Sequence, residues 1–182
     1  RQLINIAPDL CREFTDLKIL IVGGGDVFEE LCQKAEKVNS VIGRKAIIMT
    51  GSRTDINELI AVGDAFVGVS RSALEAMAAC KPVIVAGNEG YIGIFDKDKL
   101  EVARENNFCC RGCIMPTEDL LLEDIKTMLM FDNYEKERIG QYGRQVIIEY
   151  YSVSKMAKDC IEAYDAALQL KDKKIQNVLM SG

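Results

Sequence analysis

Four short apolar runs stand out along the first half of the chain, at residues 18–22, 46–50, 65–69 and 82–86, and segments with helical spacing of apolar residues separate them. Short apolar runs bounded by turn residues are typical of strands that are buried on both faces of a parallel sheet. Right-handed crossovers through the intervening helices would connect such strands. The alternation therefore predicts an α/β fold, a Rossmann-like, doubly wound parallel sheet flanked by helices.

The remaining segments are predicted to be mostly helical. Thr117 follows Pro116 and is expected to cap one of these helices through its hydroxyl. We expect one domain over residues 1–170 and a charged, frayed tail over residues 171–182. The other helical patterns cover residues 3–14, 97–107, 117–130, 135–150 and 152–170, with a short apolar run at residues 108–110.

The composition excludes several classes of protein. The 182 residues are 48% hydrophobic and 28% charged, which suits a single globular domain with a full core. With 23 Lys and Arg against 28 Asp and Glu, the net charge of -5 argues against nucleic acid as a partner. No apolar run approaches the roughly 20 residues of a membrane span. Because the sequence begins with Arg1, we expect it to be a fragment of a longer protein.

Seven cysteines and the absence of histidine limit the chemistry. An odd number of cysteines in a chain of this size predicts free thiols and a reducing, cytoplasmic location. Cys110 and Cys113 form a CxxC motif beside Cys109, but a zinc site needs four ligands. A redox motif remains open, although small hydrophobic residues in and around a strand are the favoured interpretation. Without histidine, Ser-His and Cys-His nucleophilic dyads are excluded.

The turn after the third predicted strand is a candidate anion site. Unpaired N–H groups and the positive end of a helix dipole attract phosphate at such a turn. Glu75 follows one turn later, where its carboxylate could accept hydrogen bonds from ribose or sugar hydroxyls. Alternatively, Glu75 could form a capping box with Ser72. The combination suggests a nucleoside diphosphate sugar held at the backbone of Ser70, Arg71, Ser72 and Ala73.

Glycines and an arginine follow the other strands. A dinucleotide fingerprint would need a glycine at Phe28 and an acidic residue after the second strand, so NAD and FAD are not favoured. The glycines could form a ligand contact or only a tight turn, and Arg53 and Arg71 could be phosphate ligands or solvated charges. All of these residues follow carboxyl ends of predicted strands, where ligands bind in such sheets. They are Gly23, Gly24 and Gly25, then Arg53, and residues 87–90 after the fourth strand.

Four segments carry a resemblance to a known family: LKILIVGGGDVFEEL, MTGSRTDINELIAVGDAFVGVS, ALEAMAACKPVIVAGNEGYIG and YYSVSKMAKDCIEAYDAAL. They resemble the carboxyl-terminal, donor-binding domain of a GT-B glycosyltransferase of the retaining, glycogen-synthase-like group (group 1, family 4). The resemblance implies an enzyme that moves a hexose from a nucleoside diphosphate sugar, such as a UDP-sugar, to an acceptor hydroxyl. It also implies that Glu75 holds the donor ribose. We expect no cofactor, and no metal held by this domain, because the chain has no histidine and no clustered aspartates to bind a divalent cation.

The sequence departs from the family pattern at two positions. Val67 stands where a second glutamate is usual, and Cys80 stands where glycine is usual. The short spacing from Ser70 to Glu75 is also similar to that of UDP-sugar 2-epimerases, which share the GT-B architecture. A UDP-sugar 2-epimerase half and a non-catalytic nucleotide-sugar-binding module therefore remain alternatives.

The resemblance further implies that an acceptor domain and a basic residue pair precede Arg1. We therefore expect the 182 residues to bind donor without catalysing transfer. The edge formed by residues 23–25, 70–72 and 87–93 is expected to be an open face against which that domain closes. Its apolar part would comprise Tyr91, Ile92, Ile94 and Phe95.

Overall fold

The computed structural model describes the backbone of residues 1–180 and the side chains of residues 1–170. The five strands are β1 (Ile19–Val22), β2 (Ile47–Gly51), β3 (Phe66–Gly68), β4 (Val83–Gly87) and β5 (Gly90–Ile94). The helices are α1 (Gln2–Glu13), α2 (Phe28–Ile42), α3 (Ile56–Val62), α4 (Ser70–Ala78), α5 (Leu100–Glu105), α6 (Glu118–Met130), α7 (Asn133–Val146) and α8 (Val153–Met180). A 3-10 turn, Lys97–Lys99, precedes α5, and a π-helical turn, Ile147–Tyr151, follows α7. The frayed tail predicted for residues 171–182 falls on residues whose side chains lie outside this description.

The four predicted strands form and pair in parallel. β1 pairs with β2, placing Ile19 opposite Ile47, and β3 pairs with β4, placing Phe66 opposite Val83. These pairs belong to two separate hydrogen-bonded sheets, one of two strands and one of three, which we call the two ladders. One continuous parallel sheet was expected. Each pair is joined by a helix, so the mixed α/β architecture with parallel strands flanked by helices is confirmed.

The third strand of the larger ladder was missed by the sequence analysis. β5 pairs antiparallel with β4, placing Ile84 opposite Ile94. The two strands are joined by a two-residue turn at Asn88 and Glu89, a loop length typical of β-hairpins. The glycines at residues 87, 90 and 93 were interpreted as loop residues, and this hid the strand.

Side chains of β4 alternate between two apolar clusters on opposite faces. Ile84 packs with residues of α1 and α6, and we call this set the α1 cluster. Val83 and Val85 pack with residues of α4 and α5, and we call that set the α4 cluster. The α1 cluster contains Ile4, Leu10, Ile19, Ala35, Ile47, Ile94, Leu121 and Met128, and the α4 cluster contains Ile60, Ala73, Ala76, Met77, Phe95, Ala103, Phe108 and Val146.

The expected open apolar face is wrong for three of its four residues. Tyr91, Ile94 and Phe95 are only 5%, 9% and 1% exposed, because β5 folds back onto β4 and α6. The Tyr91 hydroxyl donates a 2.5 Å hydrogen bond to the carboxylate of Asp124 on α6, which also accepts the N–H of Ile94 at 3.2 Å. These three residues therefore belong to the core. We call the hydrogen bonds of Tyr91 and Ile94 to Asp124 the polar anchor.

Two other expectations about individual residues are resolved. The Thr117 hydroxyl accepts the N–H of Leu120 at 3.2 Å, which confirms the predicted helix cap. The run at residues 108–110 is a buried turn and not a strand, with Phe108 and Cys110 fully buried.

All seven cysteines are free thiols. Within residues 1–170, no three His, Cys, Asp or Glu side chains are grouped as metal ligands would be.

Candidate functional site

The glycine turn after β1 lies against the loop after β2. The N–H of Gly23 donates a 3.0 Å hydrogen bond to the carbonyl oxygen of Gly51. A Cβ on Gly24 would lie 2.6 Å from the Ser52 hydroxyl oxygen, so a larger residue there would require the Ser52 side chain to move. Gly25 has a φ of 109°, which strains any other residue. The structure thus brings two of the predicted loops together and leaves the glycine backbone exposed.

Arg53 is not a free cation in this structure. Its Nε donates a 2.8 Å hydrogen bond to Asp55 Oδ1, and a second guanidinium nitrogen contacts Oδ2 of the same carboxylate. This hydrogen-bonded pair raises the pKa of Arg53 and lowers the pKa of Asp55. The ion pair is at the surface, so its net contribution to stability is small. Arg53 would have to exchange Asp55 for a phosphate in order to bind a donor.

Ser70 begins α4 in a strained conformation. Its φ is 54°, in the left-handed region, and its N–H donates a 2.7 Å hydrogen bond to the carbonyl oxygen of Phe108. The N–H of Ala73 makes a long 3.4 Å bond to Val69. Of the four predicted anion-binding N–H groups, those of Arg71 and Ser72 therefore have no acceptor within the described part of the chain.

The capping-box interpretation of Ser72 and Glu75 is wrong. The helix begins at Ser70, with Val69 at its N-cap position, so Ser72 is already inside the first turn. There its hydroxyl donates a 2.8 Å hydrogen bond to the carbonyl oxygen of Val69. The Glu75 side chain is 48% exposed and lies 3.9 Å from the Arg71 guanidinium. Its carboxylate therefore keeps its capacity to accept hydrogen bonds from a ligand.

A turn that the sequence analysis overlooked supports the start of α4. Asn107, Phe108 and Cys110 all have positive φ, at 52°, 58° and 61°. The amide oxygen of Asn106 accepts the N–H of Cys110 at 3.0 Å and thereby fixes the turn that presents the Phe108 carbonyl to Ser70. In the sequence, the adjacent residues Asn106 and Asn107 were the only indication of this turn, because asparagine tolerates left-handed backbone conformations.

Two surface grooves lie away from the predicted site residues. The larger, about 740 Å³, lies between α5 and the π-helical turn, where the Arg104 guanidinium is 3.8 Å from the ring centroid of Tyr150. The smaller, about 460 Å³, lies along α7. The predicted residues instead lie in the loops after β1 and β2 and in the first part of α4, which follow the carboxyl ends of the parallel strands β1, β2 and β3.

Three solved structures share this fold. One is a Staphylococcus aureus (S. aureus) TarM mutant in complex with Fondaparinux, alpha-GlcNAc-glycerol and UDP, with 18% identity and a TM-score of 0.57 over 88% of this chain. Another is Anabaena Alr3699/HepE in complex with UDP and glucose, with 17% identity and a TM-score of 0.61 over 91% of this chain. The third is WaaG, a glycosyltransferase involved in lipopolysaccharide biosynthesis, with 20% identity and a TM-score of 0.57 over 88% of this chain.

These comparisons relate the chain to part of each structure. The chain covers 31%, 44% and 42% of the TarM, HepE and WaaG chains, which is less than half in every case. No curated protein matches the chain significantly. No helix within the described residues is both long and apolar enough to cross a membrane. The family model described as glycosyl transferases group 1 matches residues 1–146, and the chain therefore belongs to the family of group 1 glycosyltransferases.

Proposed function

We propose that this domain binds the nucleoside diphosphate sugar donor of a glycosyltransferase that moves a hexose to an acceptor hydroxyl. The observation that carries the proposal is the start of α4, where the N–H groups of Arg71 and Ser72 have no acceptor in the described chain. Glu75, one turn later, is half-exposed and makes no cap. The free N–H groups at the start of the helix suit a phosphate, and the half-exposed Glu75 carboxylate suits the hydroxyls of an adjoining ribose.

In this proposal the diphosphate lies against the Arg71 and Ser72 N–H groups. The helix dipole of α4 stabilises the negative charge that develops on the departing diphosphate. The Arg71 side chain, which is 90% exposed, can turn from Glu75 to the phosphates because its present ion pair is weak. Glu75 accepts the ribose hydroxyls, and the sugar lies toward the glycine turn at Gly24.

Sugar transfer is favoured over the epimerase alternative. The family match supports it, as does the likeness of fold to WaaG, a glycosyltransferase, and the TarM and HepE structures contain UDP. A UDP-sugar is accordingly the first donor to test. A non-catalytic nucleotide-sugar module would share the same binding geometry and is distinguished by turnover alone.

The acceptor site belongs, in our proposal, to a second domain outside these 182 residues. In this proposal the segments after β1 and β3 supply contacts to the donor alone. Donor binding alone lowers no barrier unless an acceptor hydroxyl is held against the anomeric carbon.

The seven free thiols support a reducing, cytoplasmic location for the whole protein.

Isothermal titration calorimetry against UDP-, GDP- and ADP-sugars tests the donor site. We expect one nucleotide class to bind to the full-length protein and to this chain, with turnover only in the full-length protein. A folded full-length protein that binds none of these donors would refute the donor-site proposal. Sugar transfer to an added acceptor by this chain alone would refute the two-domain arrangement while leaving donor binding intact.

A further inference from the structure

Three of the seven cysteines lie close together in the turn that follows α5. Cys109 and Cys113 are partly exposed, whereas Cys110 is buried. The N–H of Cys113 donates a 3.0 Å hydrogen bond to the carbonyl oxygen of Cys110, so residues 110–113 form a β-turn. The two Cα atoms that end a β-turn lie less than about 7 Å apart. A disulfide joins Cα atoms that are about 4.4–6.8 Å apart, so the turn brings the CxxC pair into disulfide range.

The reduced Cys110 thiol supports the hairpin of β4 and β5. The pairing register of these strands shifts after Val85, which leaves Ile92 unpaired in a β-bulge. Next to this bulge the Cys110 thiol donates a 3.7 Å hydrogen bond to the carbonyl oxygen of Val85. A disulfide sulfur has no hydrogen to donate. Oxidation of Cys110 therefore removes its bond to Val85.

The two thiols of the CxxC pair differ in how readily an oxidant reaches them. The Cys113 sulfur is partly exposed, and Nδ2 of Asn106 donates a 3.6 Å hydrogen bond to it. Burial and the charge of the neighbouring Cys113 raise the pKa of the Cys110 thiol to about 11, which makes Cys110 a poor first nucleophile. Cys113 is therefore the thiol that reacts first, and Cys110 is the thiol that resolves the product.

The same turn supports the start of α4. The Asn106 side chain contacts both cysteines, because its Oδ1 accepts the N–H of Cys110 at 3.0 Å and its Nδ2 contacts the Cys113 sulfur. Between these contacts, the carbonyl oxygen of Phe108 accepts the N–H of Ser70 at 2.7 Å. Phe108 and Cys110 have left-handed φ values of 58° and 61°, and a strained turn of this kind persists only while its surroundings hold it. A change at the cysteines is thus transmitted to Ser70.

We propose that Cys110 and Cys113 form a reversible disulfide that acts as a redox switch at the start of α4. The Cys113 sulfur attacks one sulfur of a small disulfide such as oxidised glutathione, and one glutathione leaves with the Cys113 proton. The Cys110 sulfur then attacks Cys113 in the mixed disulfide, and the second glutathione leaves with the Cys110 proton. Two cysteine thiols are oxidised, and one glutathione disulfide is reduced to two thiols. The new bond withdraws Cys110 from Val85 and releases the Ser70 N–H from Phe108.

Exposure of the full-length protein to oxidised and then to reduced glutathione tests the disulfide. Trypsin cleaves after Arg111, between the two cysteines, so the disulfide links two peptides that mass spectrometry detects after free thiols are alkylated. We expect this link to form in oxidised glutathione and to disappear in reduced glutathione. Because Cys109 and Cys110 share one peptide, Cys109→Ser should keep the link, whereas Cys113→Ser should abolish it. No disulfide, a disulfide from Cys109 to Cys113, or only a mixed disulfide with glutathione would overturn the proposal.

Hydrogen exchange of the reduced and oxidised proteins, without donor, tests the effect on α4. We expect the Ser70 amide to exchange about 10-fold faster in the oxidised protein. The amide of Phe66, which donates to Pro82 at 2.9 Å, is the reference and should exchange equally in both forms. An unchanged Ser70 amide in the disulfide-linked protein would overturn the switch.

The consequence for donor binding rests on the proposed function. We expect oxidation to weaken the binding of a UDP-sugar about 10-fold, and Cys113→Ser to bind it equally in both glutathione conditions. Equal affinity of the reduced and oxidised proteins would overturn the control of donor binding. A Ser70 amide that responds to oxidation in a protein that binds no donor in either form would support the switch and refute the proposed function, so the two failures are distinguishable.

Discussion

The carbonyl oxygen of Cys80, just after α4, lies 2.0 Å from the position that a Cβ would occupy on Gly140 of α7. Helices α4 and α7 thus approach so closely that backbone meets backbone at this point. Real Cβ atoms essentially never approach another heavy atom to this distance, so a side chain at residue 140 requires one helix to move.

The variant Gly140→Ala is expected to destabilise the protein by about 3 kcal/mol, at the upper end of overpacking costs, because the clash is with backbone. Gly143→Ala on the same helix is the matched control. Its Cβ would lie 3.2 Å from Cγ of Met77, a contact that a shift of a few tenths of an ångström relieves, and the gain in helix propensity, about 1 kcal/mol, offsets it. Urea denaturation measures both variants, and equal losses of stability would contradict the close approach.

Cys80→Gly is expected to stabilise the protein by up to about 1 kcal/mol. Cys80 has a φ of 57°, a conformation in which glycine carries no Cβ penalty. Cys80→Ala retains the Cβ and the strain and is the control for loss of the thiol. Thermal unfolding would rule against this explanation if both variants shifted the melting temperature equally.

Tyr91→Phe is expected to lower the free energy of unfolding by about 1–3 kcal/mol. The change removes the donor of the 2.5 Å hydrogen bond to Asp124 and leaves a part-buried carboxylate with one partner fewer. Tyr164→Phe, at a tyrosine that is 71% exposed, is the matched control and should be neutral. Chemical denaturation that shows equal stability for both variants would count against the anchor.

Stability is expected to fall as the pH rises from about 9 toward 11. Burial raises the pKa of the Cys110 thiol to about 11, above its unfolded value of 9.0. The folded state therefore retains this proton longer, and the stabilisation is fully present below pH 9 and lost as pH rises through 11. The linked change is about 3 kcal/mol at most.

The Cys110→Ala variant provides the comparison for this pH dependence. It should be less stable at neutral pH, because it leaves a small cavity, but its stability should decline less steeply between pH 9 and 11. Cys160→Ala, at an exposed thiol, should keep the slope of the original protein. Identical slopes in all three proteins would show that ionisation of Cys110 is not linked to unfolding.

Glu75→Gln is expected to weaken donor binding by about 10- to 100-fold, since hydrogen bonds to a charged group contribute roughly 1.5–3 kcal/mol. Its effect on stability should be slight, because Glu75 forms no cap and its 3.9 Å ion pair is exposed. Glu58→Gln, in the first turn of α3, is the control. Calorimetry that gives the same affinity for both variants would remove Glu75 from the donor site.

Local patterns predicted the four parallel strands and the Thr117 cap. Each depends on a few adjacent residues: a buried apolar run in β4, or a threonine before an acidic helical turn. β5 was not predicted because its glycines are typical of a loop. Its burial depends on α6, which lies far along the sequence. Cys80 is instructive in this respect, because the backbone has the left-handed conformation usual for glycine although the residue is cysteine.

The candidate site could be predicted only in outline. Gly24, Arg53 and Ser70 each follow a predicted strand. They were therefore expected at one edge of the sheet, because parallel strands direct their carboxyl ends to the same edge. The bond from Ser70 to Phe108 and the pairing of Arg53 with Asp55 could not be foreseen. The first contact depends on left-handed backbone conformations at Ser70 and Phe108, and the second depends on the side-chain conformation of Arg53. Only the tertiary structure selects these conformations among the alternatives that the local sequence allows.

The separation of the two ladders has a consequence for how the domain folds and opens. Each parallel pair is built from one contiguous strand, helix and strand, so its backbone hydrogen bonds link residues close in sequence. Only side-chain packing joins one ladder to the other within the described residues. Such contiguous units are the cooperative elements that open independently in native proteins. We therefore expect the ladder of β1 and β2 and the ladder of β3, β4 and β5 to open as separate units, with the interface between them opening before either ladder.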